Sequence, residues 1–311
     1  MTGKGVLVYG EALVDIVPGR AGRKREAVLG GSGFNTALAL ARCGAPVAYN
    51  VSLSRDGFGQ FFLRRLTEEG IDQRFVGICD APTPSATVTS LDAGGAATYR
   101  FSLNGTAFDA APPAPADLDG FAHLHVTSFG ATLGTSGEAA LALMRRAREA
   151  GLSVSYDLNV RPAVLPAPEL MRSAIEERIM LCDLVKMSCD DAVEALGNGY
   201  GKVFDGWFAR GISLVLETEG DHGANLYYPS RKMISGFVPA EDVIDTIGAG
   251  DSFMGAFLAS LWQNGALGSK LRDLPEELST SAMDFACAVA AETCGEKGCN
   301  PPRLTPPPAY D

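Results

Sequence analysis

The 311-residue sequence predicts an α/β fold: a central, mainly parallel sheet flanked by helices, with a small β projection. Three observations carry this. Short apolar runs alternate with segments whose apolar residues recur at helical spacing, the pattern of βαβ units. Residues 85–103 (SATVTSLDAGGAATYRFSL) break that rhythm with two alternating runs around Asp92-Ala93-Gly94-Gly95, a hairpin signal. A second break, at residues 14–29, runs through a basic loop into EAVLGG. The two excursions predict a small sheet standing over the site as a lid on a single domain, residues 1–311.

The elements follow in order. Residues 5–10 (GVLVYG) read as a buried strand, and 32–43 as a helix ending at the C-cap Gly44. Residues 48–53 are strand-like, and 59–70 form an amphipathic helix stopped by Gly70. A Pro/Ala-rich connector covers 110–119. Strands at 123–128 and 152–159 then enclose a helix over 136–150. Strands follow at 183–188, which leads into a helix, and at 212–218. NLYYP belongs to a hairpin. A long helix with a glycine-rich start spans 248–265, and the last helix covers about 277–293. The proline-rich tail NPPRLTPPPAYD is extended.

Composition narrows the function. A net charge of −11 repels nucleic acid phosphates and anionic membranes, so neither is expected as a partner. The N-terminus lacks a signal peptide's apolar region and no stretch reaches the length of a membrane span, which predicts a cytoplasmic protein. Seven scattered cysteines without a C-x-x-C fit reduced thiols. His123 and His125 share one strand face with no third ligand at metal spacing, so they read as ordinary strand histidines. The run Arg20, Arg23, Lys24, Arg25 reads as a solvated loop. G-x-x-x-x-G-K-[ST], G-x-G-x-x-G and G-x-S-x-G are all absent, which disfavours P-loop kinases, dinucleotide dehydrogenases and serine hydrolases.

The strongest local signal is Val243-Ile244-Asp245-Thr246-Ile247-Gly248-Ala249-Gly250-Asp251-Ser252-Phe253. A glycine-rich turn runs straight into a helix. Small residues at 248–250 let backbone N–H groups converge at the positive end of the helix dipole, a nest suited to a phosphoryl group. A carboxylate at Asp251 would stand beside that group and could take a proton from an attacking hydroxyl. The plain alternative is that Asp251 only caps the helix.

As a whole, D-T-x-G-A-G-D resembles the second signature of the ribokinase-like (PfkB) carbohydrate kinases. Gly30-Gly31-Ser32-Gly33-Phe34-Asn35 resembles their first, G-G-x-x-x-N, and the likeness covers nearly the whole chain. The resemblance implies a ribokinase-like sandwich and an ATP- and Mg²⁺-dependent transfer of the γ-phosphoryl group to a sugar hydroxyl. It makes Asp251 the catalytic base and the Gly248, Ala249 and Gly250 amides the anion hole. It gives the sugar to Asp15, Gly30, Gly31 and Asn35. Asp157-Leu158-Asn159-Val160-Arg161 resembles the D-x-N-x-R stretch of fructokinases and 2-keto-3-deoxygluconate kinases. There Arg161 would meet a phosphate or an acidic substrate, with a surface ion pair as the plainer reading.

Lys186, Ser188 and Asp191 occupy the place of the family's [NS]-x-x-E element, with Asp191 near Mg²⁺ where glutamate is usual. Thr218, Gly220 and Gly223 resemble its T-x-G-x-x-G turn, which touches nucleotide phosphate and ribose. Cys287 stands where relatives carry asparagine and would face adenine. Tyr99-Arg100-Phe101 adds Arg100 as a substrate contact. The acceptor expected first is D-fructose, then 2-keto-3-deoxygluconate. The rival of another class is a sugar-binding regulator without catalysis. The resemblance also implies a homodimer and a monovalent cation site, such as K⁺, near the Asp245 loop.

Overall fold

The computed structural model describes residues 4–19, 25–91, 97–165, 168–230 and 233–308. The chain begins with β1 (Gly5–Tyr9), β2 (Leu13–Pro18), β3 (Arg25–Gly30), α1 (Ser32–Arg42), β4 (Val47–Ser54), α2 (Gly57–Glu68) and β5 (Val76–Cys79). There follow β6 (Ser85–Leu91), β7 (Ala97–Ser102), β8 (Phe121–Thr127), α3 (Gly134–Glu149), β9 (Ser153–Asp157), α4 (Pro168–Ile179), β10 (Leu184–Ser188) and α5 (Cys189–Leu196). The chain continues with α6 (Phe204–Ala209), β11 (Leu214–Thr218), β12 (Ala224–Tyr227), β13 (Met233–Gly236), α7 (Ala249–Gln263) and α8 (Glu276–Cys294).

The strands form two sheets. The large one runs β13-β12-β11-β10-β9-β8-β1-β4-β5, and its β11-to-β5 part is parallel. Its interior strands carry apolar residues on both faces because helices cover both, with buried polar residues among them such as His123 and Ser155. On one face α1, α7 and α8 pack over Val6, Val8, Leu184 and Leu216. On the other, α3 and α4 pack over Leu7, Leu124, Val154 and Val185. Phe257 of α7 is wholly buried, and truncating it to alanine would cost about 3–5 kcal/mol.

The small sheet, β3-β2-β6-β7, combines both excursions expected from sequence. The turn expected at residues 92–95 and most of the basic run lie outside the described residues. Arg25 is described and donates to the Val88 carbonyl at 3.2 Å. One face of this sheet meets the body through Leu13, Ala86, Phe108 and Phe129, with Phe101 edge-on to Phe129 at 5.7 Å. The other face carries exposed Thr89, Thr98, Arg100 and Ser102.

Two details bear on the site. Gly255 lets α7 approach α1 backbone to backbone: a Cβ there would lie 2.6 Å from Ala39 Cβ. Because α1 carries Ser32 and Asn35 while α7 carries Asp251 in its first turn, this contact fixes the site's two halves against each other. The stretch after α8 has no regular secondary structure but is tied down. Arg42 donates to Asn300 and Pro301, Arg303 to Glu69, and Gln263 to the Pro306 carbonyl.

All seven cysteines are free thiols. His123 bonds Ser153 and Ser155, and His125 bonds Ser155. Burial lowers the His123 pKa to about 3 and the His125 pKa well below its ordinary value, so both are neutral strand histidines. Among the described residues no helix is long and apolar enough to cross a membrane.

Candidate active site

A cleft of about 1180 Å³ opens at the C-terminal ends of the parallel strands, between the small sheet and the start of α7. It exceeds the usual volume for one small ligand, leaving room for two. Parallel strands end there with their loops, which is where open α/β sheets take ligands.

Asp251 lies at its centre, in the first turn of α7 and only 7% exposed. Asn35 Nδ2 donates to its Oδ2 at 2.8 Å, Ser32 Oγ to its Oδ1 at 2.5 Å, and Asn159 Nδ2 to Oδ1 at 3.5 Å. These partners come from two widely separated segments. Gly248 precedes the helix with φ +77°, a conformation that only glycine adopts without strain. The Ala249 N–H, expected in the anion hole, is occupied by the Thr246 carbonyl at 3.2 Å. Among the described residues the N–H groups of Gly248, Gly250 and Asp251 have no acceptor, so they are the free donors at the helix start.

Lys186 strengthens this positive end. It is 4% exposed, and its Nζ would lie 3.1 Å from a Cβ on Gly250. Nζ donates to Asp157 Oδ2 at 2.9 Å. Burial raises the Asp157 pKa to about 7 and Lys186 opposes that rise. Burial also works against the lysine's charge, but Asp157 and Asp191 outweigh it and hold its pKa above the ordinary value.

At the small-sheet end the lining is Leu13, Asp15, Gly31, Ala86, Tyr99, Phe101, Phe129 and Arg161. Gly30 does not line the cleft but makes room for Asp15, whose Oδ2 would lie 2.1 Å from a Cβ there. Burial pushes the Asp15 carboxyl up to about 7; Arg161 opposes this, and Asp251, Asp245 and Glu11 add to it. Arg161 also donates to the Val160 carbonyl at 2.9 Å.

Arg100 does not join them. Strand alternation sends Tyr99 and Phe101 into the cleft and leaves Arg100 exposed on the opposite face, so its expected substrate contact is corrected.

The other end is lined by Ser188, Thr218, Gly220, Gly223, Cys287 and Cys294, with Phe237 and Val243 at the mouth. Burial pushes the Cys287 thiol up to about 11, so it presents a neutral, weakly polar surface. Asp191 lines the cleft, but both its oxygens are engaged. Oδ1 accepts from Val160 N at 2.7 Å and Oδ2 from Ser188 N at 3.0 Å. With Ser188 Oγ accepting from Asp191 N, this is a capping box at the start of α5. Asp190 and Glu194, on the same helix, add exposed carboxylates to the lining.

Sequence reading missed Glu11. It is 5% exposed and accepts from Ser32 N and Gly130 N, both at 3.2 Å. Burial pushes its carboxyl up to about 7. Two strained residues were equally silent: Ser128 (φ 63°) and Asn159 (φ 38°), which follow β8 and β9 and both line the cleft. The stretch after α8 does not line the cleft but supports the turn before α7 from behind. Gly298 N donates to Asp245 Oδ2 at 3.0 Å, Lys297 pairs with Glu26 of β3, and Cys299 packs against Gly248.

A carboxylate pinned beside free helix-start N–H groups, a buried ammonium behind them and a two-ligand cleft define a phosphotransferase. The chain belongs to the pfkB family of carbohydrate kinases, whose model matches residues 4–306, and it is an ATP-dependent sugar kinase. It is 30% identical over 304 residues to a fructokinase of Klebsiella pneumoniae, covering 95% of this chain and 92% of that protein. It is 34% identical over 264 residues to a fructokinase of Rhizobium leguminosarum bv. trifolii, covering 82% and 79%. The fold is similar to the crystal structure of a fructokinase from Xylella fastidiosa with bound ATP, with a TM-score of 0.82 and 26% identity over 95% of this chain and 94% of that one.

Proposed function

We propose that the chain is a fructokinase that uses Asp251 as its general base. The carrying observation is the position of Asp251 between the two ends of the cleft, beside the free N–H groups of Gly248 and Gly250. The sugar hydroxyl gives its proton to the Asp251 carboxylate as its oxygen bonds to the γ-phosphorus. The bond from that phosphorus to the bridging oxygen breaks, and ADP leaves. Helix-start N–H groups and Lys186 carry the charge on the transferring group.

Asp190 and Glu194 would hold Mg²⁺ through their hard carboxylates, and Asp191, whose oxygens already accept backbone N–H groups, would act on it through water. When bound it would neutralise charge on the phosphates. Thr218, Gly220 and Gly223 would receive nucleotide phosphate and ribose, and Cys287 the adenine.

The acceptor we favour is D-fructose, the substrate in the names of the relatives above. A neutral sugar fits the electrostatics better than 2-keto-3-deoxygluconate. Arg161 already faces Asp15, and Glu11, Asp245 and Asp251 lie nearby, so an added carboxylate would meet net repulsion. The small sheet would close as a lid over the sugar and exclude water. A homodimer through the lid would bury exposed Thr98 and Arg100, and sedimentation would read it. Dependence on K⁺ near Asp245 is read by exchanging K⁺ for choline.

The test is ADP release with ATP·Mg²⁺ against fructose, 2-keto-3-deoxygluconate, ribose, tagatose and adenosine, beside Asp251→Asn. Turnover on fructose, lost by orders of magnitude in the variant with sugar affinity kept, is the expected result. No turnover on any sugar, with a sugar still bound, would favour the non-catalytic regulator. Unchanged turnover in Asp251→Asn would remove the base assignment.

A further inference from the structure

We infer that Thr127 and Ser32 form a one-way hydrogen-bond relay that orients the carboxylate of Asp251, so that both are positioning residues for phosphoryl transfer. The inference rests on Asp251 being the base.

The direction of the relay follows from counting protons. Ser32 Oγ lies 2.5 Å from Asp251 Oδ1 and 2.6 Å from Thr127 Oγ1. An ionised carboxylate only accepts, so the single Ser32 proton goes to Asp251. The contact to Thr127 is then a hydrogen bond only if Thr127 donates. Thr127 ends β8 and is wholly buried, and Ser32, at the start of α1, is buried too.

The threonine's rotamer is set by a glycine. A Cβ on Gly10 would lie 2.7 Å from Thr127 Cγ2 and 2.9 Å from Gly33 Cα, so the methyl group fills the notch that Gly10 leaves. Its hydroxyl is thereby turned to Ser32. Ser32 is fixed independently by its backbone N–H, which donates to Glu11. With Asn35 holding Oδ2, both carboxylate oxygens are pinned before any substrate arrives.

A hydrogen bond to an ionised carboxylate is strong and directional. The relay therefore holds the Asp251 carboxylate in one orientation for the attacking hydroxyl. It acts amid other charges: Asp251 is coupled to Glu11, Asp15, Asp157, Lys186, Cys299 and Tyr49. The test must therefore remove the relay and leave those groups in place. Ser32→Ala does so, because the backbone N–H to Glu11 is kept.

The measurement is the single-turnover rate of phosphoryl transfer, by rapid quench at saturating fructose and ATP·Mg²⁺, with sugar affinity read beside it. Ser32→Ala should lower the rate about tenfold with sugar affinity within a factor of about two. Ser32→Thr, which keeps the hydroxyl, should restore the rate. Thr127→Val, which keeps the methyl group, should lower it by less, and should add nothing on top of Ser32→Ala because the link is already cut. A rate unchanged by Ser32→Ala in a protein of unchanged melting temperature overturns the relay. So does a Thr127→Val loss that adds in full to that of Ser32→Ala. Asp251→Asn is run alongside: if it keeps full rate the base reading fails, whereas a dead Asp251→Asn with an unchanged Ser32→Ala rate sinks the relay alone.

Discussion

Gly248→Ala adds one methyl group where the anion-binding turn meets the stretch after α8. That Cβ would lie 2.4 Å from both Cβ and Sγ of Cys299. Carbon–carbon contact needs about 3.5 Å, so one side must move by about 1 Å. The methyl group also meets a backbone at φ +77°, which costs about 1–2 kcal/mol with a Cβ present. Overpacking against Cys299 adds about 1–3 kcal/mol. The melting temperature should fall by roughly 5–10 °C. A shift of that size in the donors should cost about a hundredfold in kcat. The two contributions separate in a double-mutant cycle. In a Cys299→Gly background most of the steric part is gone and the conformational part stays, so Gly248→Ala should cost clearly less there. Calorimetry and coupled ADP release read both effects. Full kcat in Gly248→Ala, or an equal cost in both backgrounds, would refute this account of the turn.

Lys186→Met should destabilise the protein by about 3–5 kcal/mol in urea denaturation, because it strands the wholly buried Asp157 carboxylate; Asp157→Leu in the same chain should recover most of the loss. Arg100→Ala should leave kcat and the fructose KM within about twofold, since its side chain is outside the cleft and surface changes rarely matter. Stability should also vary with pH through Glu11 and Asp15. Their folded pKa values are raised to about 7, against about 4 in the unfolded chain. The folded protein thus holds protons that the unfolded chain has released, a contribution present below about pH 4 and lost as pH rises through 7. The melting temperature of the ligand-free protein should therefore drop between pH 5.5 and 8, and Glu11→Gln should shrink that drop. An equal drop in both proteins would count against a buried, raised Glu11.

Periodicity revealed the frame because β1, β4 and β8 to β11 are covered on both faces, so their buried positions are mostly apolar. The small sheet was legible in its alternation, and the anion-binding turn in its glycines. What stayed hidden depends on contacts across long separations. Ser32 meets Thr127 only because parallel crossovers bring α1 beside the end of β8. Glu11 is one acid after a strand, with no local pattern. Strand β5 is a four-residue edge, and α4 follows a proline-rich stretch that masked Met171, Ile175 and Ile179 at i, i+4 and i+8. One misreading was avoidable: alternation between Tyr99 and Phe101 already turns Arg100 outward. Ser188 followed three residues later by Asp191 also spells a capping box, which leaves Asp191 to act on a metal only through water.

The tie between Cys299 and Gly248 has a consequence for synthesis. A chain leaves the ribosome N-terminus first. Asp15 and Asn35 emerge early, but the turn that receives phosphate gains its rear support only when residues 297–299 follow α8. The nascent protein can fold most of its sheet without being able to transfer a phosphoryl group. A message truncated shortly after α8 would yield a near-complete sheet and no kinase, so competence begins only when almost the whole chain has been made.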